Sequence, residues 1–226
     1  MSGTVAVLKV DTSNAETLAR FNIQCAHIGD PTDNQILIPE NITPQGPLTL
    51  SIAGHRNEIV FGGTVLPTGT IHLIENNSKI TLNCKSQVDI ELWMYENSQF
   101  FLDEGFSIYG LHAWVYNNTT ISIGKYCLLS DHIYMRTSDH HSIVDLETME
   151  QINFPGDIRL ADQVWIGQGS IIASCALVNC SVPRTELWGG VPAKCLRKDV
   201  SWVPSHPANP DDIDMMARAL GRTVRR

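Results

Sequence analysis

Two adjacent histidines, His140 and His141, lie in the segment MRTSDHHSIVD at residues 135–145. An imidazole titrates near neutral pH, so it can take a proton from a hydroxyl group or ligate a metal ion. Three interpretations of this segment are open: a catalytic base, a pair of metal ligands, or a solvated polar loop. The elements around the histidines must decide among them, because a side chain acts only where its backbone places it.

The composition limits the class of protein. A chain of 226 residues suits one domain, or one domain with a small appendage. The formal net charge of -8 disfavours binding to nucleic acid or to an anionic membrane. No apolar run approaches the roughly 20 residues of a membrane span, and the start lacks the pattern of a secretory signal. The six cysteines form no C-x-x-C pair, which predicts free thiols in a reducing cytoplasm.

A repeat runs through the middle of the chain. The units RNEIVFGG, NNSKITLN, ENSQFFLD and NNTTISIG each contain an asparagine turn followed by a short β-rich stretch. The second residues of the units are Asn57, Asn77, Asn97 and Asn118, so the spacings are 20, 20 and 21 residues. Such a period predicts a β-solenoid, in which stacked coils bury a face that one coil cannot bury alone. A β-sandwich meander is the alternative.

The period shortens to six residues after Ile121. Hexads run over residues 123–140, and again over residues 160–183. Each starts with an aliphatic residue or Met, usually followed by a small residue. This pattern predicts a parallel β-helix, with the first residue of each hexad pointing inward and the small residue at a crowded corner.

The string RTSD-H-HSI…D-L-E-T…IN-P…VWIG…G-PAK resembles the left-handed β-helix O-acetyltransferases of the hexapeptide acyltransferase superfamily. The likeness covers residues 58–202 and is nearest to enzymes that modify bacterial capsule, lipopolysaccharide or polysialic acid. It implies an acetyl-CoA donor, a sugar or polysaccharide acceptor, and a homotrimer with active sites between subunits. No metal is expected, because a thioester is already activated.

The chemistry of acetyl transfer needs two kinds of group. A sugar hydroxyl is a poor nucleophile at neutral pH and needs a base within hydrogen-bond reach. Negative charge then develops on the thioester oxygen and needs a positioned donor. The resemblance assigns the base to His141, which directly precedes the letters SI. It places Trp165, in VWIG, at the acetyl-CoA site, where its indole N–H is expected to donate to the substrate or to the thioester carbonyl. The alternative is that Trp165 only packs within the solenoid.

Neighbouring residues have less definite roles. Asp139 or Asp145 is expected to orient the imidazole, and the sequence does not choose between them. Arg136 is expected either to contact an anionic acceptor or to pair with Asp139. His140 and His132 are interpreted as surface or core histidines without a catalytic role, with lining of the acceptor site as the alternative for His140.

The expected coenzyme A site follows from the same resemblance. Gly167 would let the coenzyme pass close to the backbone. Lys194 and Arg197, with Lys198, would meet its phosphates as charge-assisted contacts; the alternative is a solvated basic face. About two hexads of the family pattern are absent after VWIG. The assignment of the coenzyme residues therefore depends on how the chain is rerouted there.

Three segments are expected along the chain. Residues 1–55 form a capping segment and first coils, residues 56–202 form the left-handed parallel β-helix with a protruding loop at 138–157, and residues 203–226 form a tail. The tail predicts a short helix, because Asn209 suits an N-cap and Pro210 the first helical position. The fold class is therefore all-β with one short C-terminal helix.

Competing functions remain open. The same fold could serve an acetyltransferase for a nucleotide sugar, serine or an antibiotic, or a solenoid that binds glycan without catalysis. A zinc hydrolase of the γ-carbonic anhydrase type would use His132, His140 and His141. Adjacent histidines on a strand point to opposite faces, so those side chains would converge only from a loop. The sequence names neither the acceptor nor the position acetylated.

Overall fold

The computed structural model describes residues 6–105, 107–166, 178, 182–183, 185–203, 205, 207–219 and 221–222. Their contacts divide the chain into two compact units, Met1–Val164 and Trp165–Arg226. The elements of the first unit are β1 (Val7–Asp11), α1 (Ala15–Ala19), β2 (Ile23–His27), β3 (Gln35–Pro39), β4 (Thr43–Pro44), β5 (Leu48–Ile52), β6 (Glu58–Phe61), β7 (Val65–Leu66), β8 (Thr68–Leu73), β9 (Lys79–Leu82), β10 (Val88–Met94), β11 (Gln99–Leu102), β12 (Ser107–Val115), β13 (Thr120–Ile123), β14 (Leu128–Leu129), β15 (Ile133–Arg136) and β16 (Ile158–Leu160).

The strands of the first unit stack as the coils of a solenoid. One sheet runs β3-β6-β9-β11-β13-β16 with all neighbours parallel, and β1 lies antiparallel on β3. A second sheet runs β2-β5-β8-β10-β12, where β12 also pairs with β14 and β15. Strands β4 and β7 form a third parallel ladder. Successive turns of the chain thus add parallel strands to the first two sheets, whereas the strands of a sandwich meander pair antiparallel.

The prediction of a mostly β solenoid with a short C-terminal helix is therefore confirmed, and the solenoid has about five turns. The left-handed sense of the coil stays a prediction. So do the boundaries proposed at residues 55 and 202.

Aliphatic side chains fill the interior in columns. On neighbouring strands Ile71 pairs with Leu92, and Leu92 with Ala113, and all three are buried. Removal of such side chains from water is the main stabilising term, at about 25 cal/mol per Å² of apolar surface. The first residues of the hexads at 123–140 are also buried, as predicted: Ile123, Leu129 and Met135. Hexads beyond Ile166 lie largely outside the described residues.

The predicted asparagine corners are present, with one correction. Asn77, Asn97 and Asn118 have φ values of 59°, 52° and 58°, in the left-handed region that asparagine tolerates. In the first sequence repeat, RNEIVFGG, however, the left-handed corner position belongs to Arg56, with φ of 55°. Glu58 pairs with Lys79, so Asn57 aligns with Ser78 and not with Asn77. Alignment of the four repeats by their asparagines therefore placed the first repeat one residue out of register.

The residue after each corner points inward and is polar. Asn57, Ser78, Ser98 and Thr119 form this buried column. The amide oxygen of Asn57 accepts the Ser78 N–H at 2.7 Å, and the Ser78 hydroxyl donates to the Tyr95 carbonyl of the next coil at 2.8 Å. A buried hydroxyl is tolerated where it has such a partner. The column therefore joins successive coils by hydrogen bonds inside the apolar core.

The second unit contains β17 (Trp165–Ile166), β18 (Glu186–Gly189), β19 (Lys194–Lys198) and α2 (Pro210–Ala219). Strands β18 and β19 pair antiparallel. The side chain of Asn209 accepts the N–H of Asp212 at 2.8 Å, as an N-cap does, and Pro210 is the first helical residue. Among the described residues, no helix is long and apolar enough to cross a membrane.

The described cysteines are free thiols. Cys84 and Cys127 are buried, and desolvation raises the pKa of the Cys84 thiol to about 12 and that of Cys127 to about 11. A thiol with so high a pKa forms little thiolate and is unreactive. The reducing cytoplasm predicted from the cysteine pattern stays a prediction, and Cys175 and Cys180 lie outside the described residues.

Replacement of Thr119 by Val is expected to destabilise the solenoid. The Thr119 hydroxyl lies 2.6 Å from the Tyr116 carbonyl oxygen and 2.7 Å from the Thr137 hydroxyl. Thr119→Val leaves these buried groups without that partner, which should lower the free energy of unfolding by about 1–3 kcal/mol. The matched control is Thr120→Val, since Thr120 is the half-buried next residue on β13. Equal urea midpoints for the two variants would contradict a structural role for the polar column.

Candidate functional site

The two histidines lie in a long connection between β15 and β16, here called the histidine loop (residues 137–157). An antiparallel bridge joins Val144 to Gln151, and the Ile152 N–H donates to the Ile143 carbonyl at 2.9 Å. The end of the loop is tied to the solenoid, because Asp157 accepts the Thr120 N–H at 2.9 Å. The histidines are therefore carried by a hydrogen-bonded hairpin anchored on the coil.

One amide side chain, Asn153, holds the histidine segment against the returning arm of the hairpin. Its nitrogen donates to the His141 carbonyl oxygen at 2.8 Å and to the Asp139 carboxylate at 3.0 Å. Its oxygen accepts the Ile143 N–H at 2.6 Å. Asn153 is the asparagine of the IN-P string, and no role was predicted for it from the sequence. Its contacts link residues on both sides of His141, so it fixes the backbone that carries the imidazole.

The structure separates the two histidines. His141 is exposed and lines a pocket of about 200 Å³, whose wall also includes Tyr116, Ser138 and His140. The ring of His140 packs against Tyr116, with centroids 5.1 Å apart, and its backbone has a φ of 63°. In the described part of the chain, no group hydrogen-bonds the His141 ring. That ring is therefore available to a molecule that enters the pocket.

The two candidate supporting acids have different surroundings. Asp145 accepts the N–H groups of Thr148 at 2.8 Å and Glu147 at 2.9 Å, and these bonds hold the pKa of its carboxyl below the ordinary value. Its carboxylate thus shapes the turn of the hairpin. Asp139 instead contacts Asn153, and through it the His141 backbone. Neither carboxylate hydrogen-bonds the imidazole in the part of the chain that is described, so their roles stay hypotheses.

Arg136 ends β15, just before the histidine loop. Its guanidinium lies over the Trp114 ring, 4.3 Å from the centroid, and the residue is exposed. It makes no ion pair with Asp139 within the described ranges. Pairing with Asp139 is thus not seen in the described part of the chain, and contact with an anionic acceptor stays a prediction.

The metal-site alternative requires three ligands to converge. His132 is exposed, with its ring nitrogen 3.8 Å from the adjacent Asp131 carboxylate. No group of three His, Cys, Asp or Glu side chains among the described residues is arranged to hold a metal ion. The geometry thus gives the zinc hydrolase interpretation no ligand set in that part of the chain.

The predicted donor-site residues belong to the second unit. The indole N–H of Trp165 is buried and has no acceptor among the described residues, and the ring packs at 5.5 Å against Trp202. Lys194 and Arg197 are exposed on β19, whereas Lys198 is 3.3 Å from Glu186. Gly167 lies outside the described residues.

Two solved structures share this architecture. The polySia-specific acetyltransferase NeuO aligns with a TM-score of 0.74 at 17% identity, covering 88% of this chain and 99% of that one. The polysialic acid O-acetyltransferase OatWY aligns with a TM-score of 0.63 at 20% identity, covering 86% and 98%. The chain is therefore a β-solenoid protein with the fold of these acetyltransferases.

Sequence comparison gives the same relationship. The polysialic acid O-acetyltransferase of Escherichia coli O1:K1 / APEC is 26% identical over an alignment of 106 residues that covers 42% of this chain and 34% of that protein. The Neisseria meningitidis polysialic acid O-acetyltransferase is 26% identical over 127 residues, 54% and 58% respectively. The putative lipopolysaccharide biosynthesis O-acetyl transferase WbbJ of Escherichia coli (strain K12) is 21% identical over 147 residues, 55% and 74%.

The chain is a distant homologue of the polysialic acid and lipopolysaccharide O-acetyltransferases, as its motifs predicted. The matched segment spans about a third of the first relative and little over half of the second. No family model matches the chain.

Replacement of Asn153 by Ala is expected to loosen the histidine loop without unfolding the solenoid. Three hydrogen bonds disappear, so amide hydrogen exchange at Ile143 should accelerate about ten-fold or more. Amides of β10 should exchange as before. Asn117→Ala is the matched control, because Asn117 lines the same pocket and is exposed. Similar exchange rates in both variants would show that Asn153 does not hold the loop.

Proposed function

We propose that this chain is an acetyl-CoA-dependent O-acetyltransferase whose acceptor is a hydroxyl of a sugar or polysaccharide. One observation carries the proposal: the exposed imidazole of His141 opens into a pocket on a hydrogen-bonded loop, in a homologue of O-acetyltransferases. The names of the relatives support an acceptor of this class.

His141 acts as the general base. It accepts the proton of the acceptor hydroxyl while the oxygen attacks the thioester carbonyl carbon. The tetrahedral intermediate then collapses, the carbon–sulfur bond breaks, and the coenzyme A thiolate takes up the proton from the imidazolium. The products are the acetyl ester and the free thiol, so no covalent enzyme intermediate is needed.

Trp165 supplies the donor for the developing negative charge. A buried N–H without an acceptor costs about 1–3 kcal/mol. A carbonyl oxygen that accepts a hydrogen bond from this N–H removes that cost, which favours binding. A donor in place before the reaction stabilises the oxyanion at little further reorganisation. This orphaned indole supports the role that the sequence resemblance assigned to Trp165.

The coenzyme A phosphates are proposed to meet Lys194 and Arg197. Both side chains are exposed, and neither is ion-paired within the described residues. Charge-assisted bonds to phosphate suit an arginine fork and a lysine point charge. Close passage of the coenzyme along Gly167 stays a prediction.

We propose that the homotrimer implied by the family resemblance forms through the histidine loop, because this loop exposes large apolar side chains. Leu146, Phe154 and Met149 are 87%, 75% and 73% exposed. Several large apolar side chains exposed on one loop are typical of a protein–protein contact. Burial of this surface against a neighbouring copy would also bring a second subunit close to the His141 pocket.

His141→Ala is expected to lower acetyl transfer by about 100-fold or more, since general base catalysis contributes 10²–10⁴. Release of free thiol from acetyl-CoA would be measured with polysialic acid and with neutral polysaccharides as acceptors. The control is His132→Ala, whose side chain is exposed and outside the pocket. Near-normal turnover by His141→Ala would refute the assignment of the base.

The double variant Leu146→Glu/Phe154→Glu is expected to shift the protein from trimer to monomer, because two charges would have to be buried in the contact. Light scattering coupled to size-exclusion chromatography gives the mass directly. Ile28→Glu is the matched control, since Ile28 is 60% exposed but lies outside the loop. A wild-type monomer, or a double variant that stays trimeric, would overturn the proposed contact.

A further inference from the structure

The outer face of the second sheet carries aligned aromatic and basic side chains. Strand register places His72, Trp93, Trp114 and Arg136 side by side in one column. A second column, two residues earlier on each strand, contains Glu91, His112 and Tyr134. These side chains define the aromatic face: His72, Glu91, Trp93, His112, Trp114, Tyr134 and Arg136.

The rings of this face stack on one another. The centroids of Trp93 and Trp114 are 4.3 Å apart with planes 5° from parallel, and those of His72 and Trp93 are 4.9 Å apart. His112 and Tyr134 stack at 4.9 Å, and Arg136 covers the far side of Trp114. Because each ring covers the face of the next, the edges of the rings point outward.

Ring edges carry partial positive charge and therefore attract oxygen atoms. The indole N–H groups of Trp93 and Trp114 have no acceptor in the described part of the chain. Arg136 adds a guanidinium to the same column. The carboxylate of Glu91 is already engaged, 2.9 Å from the His112 ring. The face thus offers donors and positive edges, which match a partner rich in hydroxyl and carboxylate oxygens.

An apolar protein surface would fit this face less well, because it would leave the two indole N–H groups without acceptors. A saccharide chain supplies an oxygen on almost every carbon. Stacking also fixes the rings before binding, so little side-chain freedom is lost on contact. The column from His72 to Arg136 crosses three strand spacings, or about 14 Å, which is longer than one sugar ring.

The aromatic face is continuous with the His141 pocket. Tyr95 and Tyr116 follow Trp93 and Trp114 by two residues, and their rings stack at 4.8 Å. Tyr116 in turn contacts His140 and lines the pocket. A chain that lies along the face would therefore meet the proposed base at its end.

We propose that the aromatic face binds the acceptor saccharide chain outside the unit that enters the His141 pocket. The proposal that the face binds saccharide rests on the geometry of the face itself. The proposal that this binding serves acetyl transfer rests on the proposed function. The face would hold neighbouring sugar units, and Arg136 would favour chains that carry carboxylates.

Binding is tested without acetyl-CoA, by calorimetry on the full chain with polysialic acid and, as a neutral probe, dextran. Trp93→Ala/Trp114→Ala should weaken binding about ten-fold or more, because stacking contacts and two donors disappear. Trp93→Phe/Trp114→Phe, which keeps the stack and removes only the indole N–H groups, should give a smaller loss. The control is Phe101→Ala, an exposed aromatic on the other sheet.

Unchanged polymer binding by the alanine double variant, or failure of the wild-type chain to bind either probe, would overturn the proposal. If the alanine double variant forms a smaller oligomer and still binds the polymer as the wild type does, the face is a subunit contact instead. Failure of the proposed function gives a different result: polymer binding that depends on Trp93 and Trp114, with no thiol released from acetyl-CoA. Circular dichroism of each variant checks that the solenoid is folded.

Discussion

Parallel pairing between successive coils is the constraint on which the rest of this structure depends. The backbone N–H and C=O groups of a strand in the first unit find their partners on the turns before and after it. Equivalent residues of successive turns are therefore brought side by side, as Glu58, Lys79, Gln99 and Thr120 are. A type of side chain that recurs once per turn therefore forms a continuous column along the solenoid.

Three kinds of column follow from that constraint. Aliphatic side chains align inside, polar side chains align at the buried corner, and aromatic side chains align outside. The inner columns stabilise the coil through removal of apolar surface from water and through buried hydrogen bonds. The outer column contributes a flat, ordered surface, and the distance between its rings is set by the strand spacing.

The histidine loop gains its order from this scaffold. It leaves the coil where β15 ends, and contacts such as Asp157 with Thr120 return it to the next strand. Asn153 then joins the two arms of the hairpin at His141. A loop held at both ends on a rigid solenoid can present a reactive side chain to solvent without losing its position, as catalytic groups require.

The sequence by itself determined the solenoid, the inward hexad positions, the C-terminal helix and the family likeness, because these depend on local spacing and motif. It misplaced the first corner by one residue, since Asn57 looks like the other corner asparagines and only strand pairing shows that Arg56 occupies that site. The contact between Asp139 and Asn153, and the stacking of Trp93 on Trp114, were decided by the tertiary structure. These contacts join residues from different turns or opposite arms of a hairpin, and their geometry is set by backbone pairing that no local pattern encodes.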